Sequence, residues 1–250
     1  MAEKVSSEGS KSSEQWVVET CPVGLQYGFR IREHLHSSQS KFQKIDVVET
    51  EFYGRMLLLD EKVMTTEWDE FIYHEMISHI PLLAHPKPEK VLVIGGGDGG
   101  TVREVLKHPS VQEVVLCEID GDVIDVSKKY LPTIAGALKD PRVDIHVRDG
   151  IEFIKDHRSR FDVILIDSTD PIGPGEGLFT EAFYKDVLAA LTPNGIMVNQ
   201  SESPVANPRE IALVYKLLRK VFPLVVPYVA TVPTYLLYIV MQLFLSQKIQ

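Results

Sequence analysis

The ten residues from Val91 to Gly100, Val-Leu-Val-Ile-Gly-Gly-Gly-Asp-Gly-Gly, constrain this chain more than any other stretch. A short, unbroken apolar run reads as a strand buried on both faces. It breaks into glycines at positions 95, 96, 97, 99 and 100, and a helix-like segment begins at Thr101. Gly95, Gly97 and Gly100 fit the spacing G-x-G-x-x-G, where missing side chains let the backbone turn sharply and approach a ligand closely. Asp98 is out of place in a pyrophosphate loop, because a negative charge at its centre would repel the ligand.

Strands and helices alternate beyond this point. The pattern predicts helices over 101–107 and 122–130, and apolar strands over 114–119, 143–147 and 163–166. Thr180 caps a helix carrying Phe183, Val187, Leu188 and Leu191, stopped by Pro193-Asn-Gly195, and Ile196 to Val198 is another strand. Asn207-Pro-Arg-Glu210 reads as a capping box with proline in the first helical position. Apolar strands separated by helices mean an α/β domain with a parallel-rich sheet covered on both faces.

The chain ahead of the glycines reads differently. Short β-rich runs begin at Ile45, Arg55 and Lys62, and Tyr53-Gly54 and Asp60-Glu61 punctuate them as tight turns. The expected organisation is a disordered tail over 1–15, a small antiparallel β domain over 16–68 and the main domain over 69–250. A helix over 70–83 opens that main domain, with Ile72, Met76, Ile80 and Leu83 on one face.

A net charge of −9 argues against a nucleic-acid partner and suits a cationic one. The most apolar stretch, Leu236 to Leu245, is far short of the roughly 20 residues a membrane-spanning helix needs. Cys21 and Cys117 make no disulfide framework, and no apolar signal core opens the chain, so a reduced, cytoplasmic setting is expected.

In parallel sheets, ligands bind at the carboxyl ends of the strands. Asp98, Glu118, Asp149 and Asp167 all follow predicted strands and therefore crowd one rim. Glu118 lies 18 residues beyond Gly100, about where an acid bonds ribose hydroxyls. Asp149-Gly150 is either a turn or an acceptor for an adenine amino group. Asp167 and Asp170 precede a Pro- and Gly-rich loop reaching about Phe179, longer than the ~2–6 residues usual for such connections. That loop reads as a lid, and the acids at its root as groups that bind and deprotonate something cationic.

Several motifs now converge. Gly-Gly-Gly-Asp-Gly-Gly, Cys117-Glu-Ile-Asp120, Asp167-Ser-Thr-Asp-Pro-Ile-Gly-Pro174, Asp69-Glu-Phe-Ile-Tyr-His-Glu-Met76 and Pro233-Thr-Tyr235 closely resemble the spermidine synthase family of polyamine aminopropyltransferases. The resemblance runs from about Gln26 to Tyr235. It implies a small N-terminal β domain on a Rossmann-like, methyltransferase-type domain, in a homodimer or homotetramer. The implied reaction moves an aminopropyl group from decarboxylated S-adenosylmethionine to putrescine or a related amine, with no prosthetic group and no metal. By motif, Gln43, Glu118, Asp149, Gly150 and Pro174 would hold the donor and Asp98 its primary amine. Tyr73, His74, Asp170 and Tyr235 would line the polyamine channel, and Asp167 would be the general base.

After Tyr235 the family continues with Pro-Ser-Gly and a final β segment, whereas this chain reads Leu-Leu-Tyr-Ile-Val-Met-Gln-Leu-Phe-Leu. An altered or truncated terminus is the expectation, in which an edge strand missing its partner would be an aggregation risk. The competing readings are a putrescine N-methyltransferase on the same fold and a non-catalytic polyamine- or nucleoside-binding protein. A nicotinamide-dependent oxidoreductase rests on the glycine spacing alone.

Overall fold

Turn chemistry shapes the first part of the chain. In the computed structural model, which describes residues 14–20, 24–169, 173–201, 203–204, 207–235 and 239–245, five strands pair in sequence order. They are β1 (Gln15–Thr20), β2 (Gln26–Gln39), β3 (Lys44–Thr50), β4 (Arg55–Leu59) and β5 (Lys62–Thr66), all antiparallel. Asp60 and Glu61 join β4 to β5 with φ of 47° and 66°, the backbone hand that matches strand twist in a two-residue hairpin. The expected tail and Cys21 lie outside the described residues, apart from the tail's last two positions.

The glycine stretch sits at the centre of a second sheet. Its strands are β6 (Lys90–Gly95), β7 (Glu113–Glu118), β8 (Val143–Val147), β9 (Phe161–Asp167), β10 (Leu191–Gln200), β11 (Leu224–Ala230) and β12 (Ile239–Leu245), in the order β11-β12-β10-β9-β6-β7-β8. The pairings from β10 to β8 are parallel, and β12 runs antiparallel to both neighbours. The chain winds outward from β6 to β8 and then returns to β9 on the other side of β6. The carboxyl ends of β6 and β9 therefore form the switch point where such sheets bind ligands.

Helices cover both faces: α1 (Glu70–Ala84), α2 (Gly100–Leu106), α3 (Gly121–Tyr130), α4 (Pro132–Ala135), α5 (Gly150–Lys155), α6 (Glu181–Ala190) and α7 (Pro208–Val221). Val91 and Val93 pack on one side with Tyr73, Ile77 and Val102, while Leu92 and Ile94 pack on the other with Phe153, Phe183 and Val187. Successive side chains point to opposite faces, so a fully apolar strand is what a two-sided core requires. The first sheet closes on α3 and α4, with Ile45, Val47 and Leu57 against Val123, Leu131 and Ile134.

Several expectations need correction, among them Leu191, expected in the helix capped by Thr180, which starts β10 together with Pro193-Asn-Gly195. The buried stripe of α1 is Glu70, Tyr73, His74, Ile77, Ser78, Pro81 and Leu82, whereas Leu83 is 76% exposed and Ile72, Met76 and Ile80 are only partly buried. Counting apolar residues misplaced the face because the true one carries His74 and Ser78 toward α2. Asn207 precedes α7 but its side chain makes no capping bond, since its backbone (φ −129°, ψ 50°) is not in the extended region that a capping side chain needs. The C-terminal stretch is no stranded edge: β12 inserts between β10 and β11 and pairs with both.

Asp69 ties these parts together. Its buried carboxylate accepts from Thr66 Oγ1 at 2.6 Å, from the Thr234 backbone N–H at 3.0 Å and from Thr234 Oγ1 at 2.9 Å. It thus links the end of β5, the start of α1 and the turn leading to Tyr235. Asp69→Ala leaves these buried donors unpaired, and the expected loss is about 2–3 kcal/mol in urea unfolding. An unchanged midpoint would show that Asp69 is not a structural tie.

Candidate active site

At the switch point Gly95 pairs in register with Asp167, and the Gly96 N–H donates to the Asp167 carbonyl at 2.8 Å. Gly95 has φ of 80°, and a Cβ there would lie 2.1 Å from that carbonyl oxygen, so only glycine fits. This close approach puts the Asp167 side chain under the glycine loop. Both of its oxygens are aimed: Tyr73 OH donates to Oδ1 and Thr101 Oγ1 to Oδ2, each at 2.6 Å. Burial, reinforced by the nearby charge of Asp98, raises the Asp167 carboxyl above its ordinary value, against the opposing pull of His74 and the two donors. Burial also holds the Tyr73 hydroxyl well above its usual range, so it remains a donor.

Asp98 stands across from this group. Its Oδ1 accepts from the Gly100 N–H at 2.8 Å, and its Oδ2 faces His74 Nε2 at 3.5 Å. The His74 ring is buried on α1, and its Nδ1 meets Glu70 Oε2, one helical turn earlier, at 2.5 Å. The same Glu70 oxygen accepts from Arg103 Nη2 at 2.8 Å. A Cβ at Gly100 would lie 2.3 Å from the imidazole, so the glycine leaves the space that the ring fills. Burial alone would lower the His74 pKa, but Asp98 and Glu70 outweigh it and raise it to about 10. Burial works against ionisation of Asp98 too, yet the imidazolium holds it below the ordinary carboxylate value.

A second acidic group closes the other end of the loop. Glu118 ends β7 nearly buried, with Oε2 accepting from the Gly97 N–H at 3.2 Å and Oε1 from the Asp120 N–H at 2.9 Å. Burial pushes its carboxyl up to about 7. Asp120 caps α3 and receives Ser40 Oγ at 2.6 Å and Gln43 Nε2 at 3.0 Å from the first sheet. Asp149 caps α5 by accepting from the Ile151 N–H at 2.8 Å through Oδ1. Gly150 packs against β6, where a Cβ would lie 2.4 Å from Ile94 Cγ2.

The structure thus brings together Tyr73, His74, Asp98 and Asp167, and sets Glu118 on the loop's other flank, with Gln43 bonded to the neighbouring Asp120. Tyr235 packs edge-on against Tyr73 at 5.8 Å between ring centroids, but its hydroxyl donates to the Met64 carbonyl. Asp170 and the Pro174 side chain lie outside the described residues. Gly173–Phe179 is a 3-10 segment, not a shapeless loop, and its Leu178 is buried. Glu70, Thr101, Arg103 and Asp120 were not singled out from the sequence. The i,i+4 spacing of Glu70 and His74 on a helix was the available signal for the first.

Other reactive groups contribute less. Cys117 donates Sγ to the Arg148 carbonyl at 3.3 Å, and burial pushes its thiol up to about 12, so it is no nucleophile at neutral pH. Among the described residues Glu75, His79 and Glu104 lie close enough to share a cation. Glu104 is already paired, however, with Arg103 Nε at 2.8 Å and Lys107 Nζ at 2.6 Å. Among the described residues no helix is long and apolar enough to cross a membrane.

Two family models match the chain, the spermidine synthase tetramerisation domain over residues 15–67 and the spermine/spermidine synthase domain over residues 70–250. The polyamine aminopropyltransferase of Bacillus mycoides (strain KBAB4) is 51% identical over 222 residues, covering 89% of this chain and 81% of the relative. That of Leptospira biflexa is 51% identical over 238 residues, covering 94% and 85%. A crystal structure of spermidine synthase in complex with the transition-state analogue AdoDATO superposes with a TM-score of 0.92 at 40% identity, covering 94% of this chain and 81% of that one. The Thermotoga maritima spermidine synthase gives 0.90 at 39%, covering 94% and 80%. With matching models over both sheets and half of its aligned residues identical to these relatives, the chain belongs to the spermine/spermidine synthase family.

Proposed function

We infer that this chain is a polyamine aminopropyltransferase that moves the aminopropyl group of decarboxylated S-adenosylmethionine onto putrescine or a related amine, giving spermidine and 5′-methylthioadenosine. The observation that carries the reading is Asp167: a half-buried carboxylate with raised basicity, both oxygens aimed by Tyr73 and Thr101, close to a second aspartate in the glycine loop. A donor sulfonium already carries a good leaving group. The protein's task is therefore to align an amine with the carbon beside sulfur, exclude water and accept a proton. The amine arrives protonated, since free primary amines have a pKa of about 10.4. Asp167 takes the proton, the nitrogen forms its bond to carbon, and the C–S electron pair returns to sulfur as methylthioadenosine leaves.

The remaining roles follow from position. Asp98 would hold the donor's primary amine, and Glu118, beside the Gly97 N–H, the ribose hydroxyls. Asp149 and Gly150 would meet the adenine end, with Gln43 and Pro174 on the nucleoside. Tyr73, His74, Asp170 and Tyr235 would line the polyamine channel, with the segment after Asp167 as its lid. Asp98 also disfavours methyl transfer from intact S-adenosylmethionine. If both donors bind alike, its charge would meet a carboxylate, and like charges ~4 Å apart repel by about 4 kcal/mol at an effective dielectric near 20. The exposed aromatic residues Trp16 of β1, Phe52 in the β3–β4 connection and Trp68 just after β5 support self-association as a homodimer or homotetramer, and the buried free thiol of Cys117 suits a cytoplasmic setting.

Purified protein given putrescine and either donor separates the readings by product mass. Spermidine with methylthioadenosine is expected from the decarboxylated donor alone, and N-methylputrescine from the intact donor would sink the assignment. Asp167→Asn should lower turnover by about 10²–10⁴-fold while leaving donor affinity nearly intact. A normal rate in that variant would remove Asp167 from the base role. Ribose hydroxyls donate to the ionised form of Glu118, whose pKa is about 7 in the free chain. Methylthioadenosine affinity should thus rise with pH, by up to about tenfold per unit below 7, and level off above it. A flat profile, or an unchanged one in Glu118→Gln, would count against ribose binding there.

A further inference from the structure

His74 is the buried imidazole at the centre of the acidic site, and its charge is set by neighbours on several elements. Glu70 and Tyr73 face it from α1, Asp98 from the glycine loop, and Asp167 from β9. Arg103 of α2 does not touch the ring but fixes Glu70, donating Nη2 at 2.8 Å to the oxygen that meets His74 Nδ1. Arg103 is fixed in turn by Glu104, through Nε to Oε1 at 2.8 Å. The chain Glu104–Arg103–Glu70–His74–Asp98 therefore runs unbroken through buried and half-buried groups. Glu70, paired with a guanidinium that stays charged, is a permanent acceptor for the Nδ1 proton, which leaves Nε2 as the nitrogen facing Asp98.

Two cations cannot both settle beside Asp98 at low cost. Among the described residues the carboxylate has Oδ1 occupied by the Gly100 N–H and Oδ2 facing His74. A primary ammonium arriving at Oδ2 would meet an imidazolium in a space with little solvent to screen the pair. The positive charge at Nε2 thus occupies, in the free protein, the place the ligand's charge would take.

We propose that Glu70, clamped by Arg103, is a positioning residue that keeps His74 protonated in the free protein, and that binding of the donor's ammonium at Asp98 expels the Nε2 proton to solvent. This rests on the aminopropyl-transfer reading of the site. The charge balances: one ammonium enters, one proton leaves, and His74 becomes a neutral imidazole with its Nδ1 proton still on Glu70. Exchange of this kind keeps the buried carboxylates neutralised in both states, without a bare Asp98 in the empty site.

Calorimetry at pH ~8.5 in two buffers of different ionisation enthalpy counts the protons, because the Glu118 carboxyl is already ionised there while His74 and the donor amine are not yet deprotonated. Decarboxylated S-adenosylmethionine should release about one proton per chain, and methylthioadenosine, which has the nucleoside but no amine, close to none. Glu70→Gln should reduce the release and shift it to lower pH, and His74→Asn should abolish it. Equal proton counts for the two ligands in the unmodified protein would overturn the exchange while leaving aminopropyl transfer intact, as would full release in His74→Asn. A chain that binds neither ligand would sink the functional reading itself, and the exchange with it.

Discussion

The whole site depends on how closely β6 and β9 can approach at their carboxyl ends. Gly95 lies in register with Asp167, and no side chain fits between them, since a Cβ would stand 2.1 Å from the Asp167 carbonyl. That contact fixes the glycine loop over the end of β9. The loop then reaches three candidate side chains from three elements: Asp167 of β9, Glu118 of β7 through the Gly97 N–H, and His74 of α1 at Gly100. A substitution at Gly95 or Gly100 would therefore move the chemistry as well as the turn.

Electrostatics is the second constraint. Glu70, Asp98 and Asp167 are all largely withdrawn from water, and isolated carboxylates in such a place would protonate instead of staying charged. His74 and Arg103 supply the compensating charge, and Tyr73 and Thr101 supply neutral donors. The result is a division of labour between two neighbouring aspartates. Asp98, beside the imidazole, is held ionised, while Asp167 is raised above its ordinary value by burial and by the charge of Asp98, against the pull of His74 and its two neutral donors.

Much of this arrangement was legible in the residues, and the omissions have physical reasons. The apolar runs at 91–94, 114–117 and 163–166 became central strands because a parallel sheet buried on both faces needs unbroken apolar sequence. The acids that follow those runs arrived at one rim for the same reason. The face of α1 was misjudged because its buried stripe is partly polar, with His74 and Ser78 turned inward toward α2. Glu70 and Arg103 escaped notice because a charged residue on a helix is usually a solvated one, and only the packing of α1 on α2 makes them partners. The bounds of the long strand β2 were not separable within the strand-like stretch over 16–66, since its exposed polar residues dilute the alternation.

Local sequence alone determined the order of strands and helices, the glycine turn with its displaced aspartate, and the acids that end the strands. It did so because strand burial, turn geometry and capping depend on neighbours a few residues apart. The tertiary structure decided which acids share a site, which of them stay charged and where the C-terminal strand goes. The stretch from Ile239 to Leu245 reads as an edge strand without a partner until β10 and β11 are placed with a gap between them that one antiparallel strand fills. Asp98 and Asp167 lie 69 positions apart in the chain, and their different basicities arise only where the fold sets Asp98 against the imidazole of His74 and encloses Asp167 beside that charge.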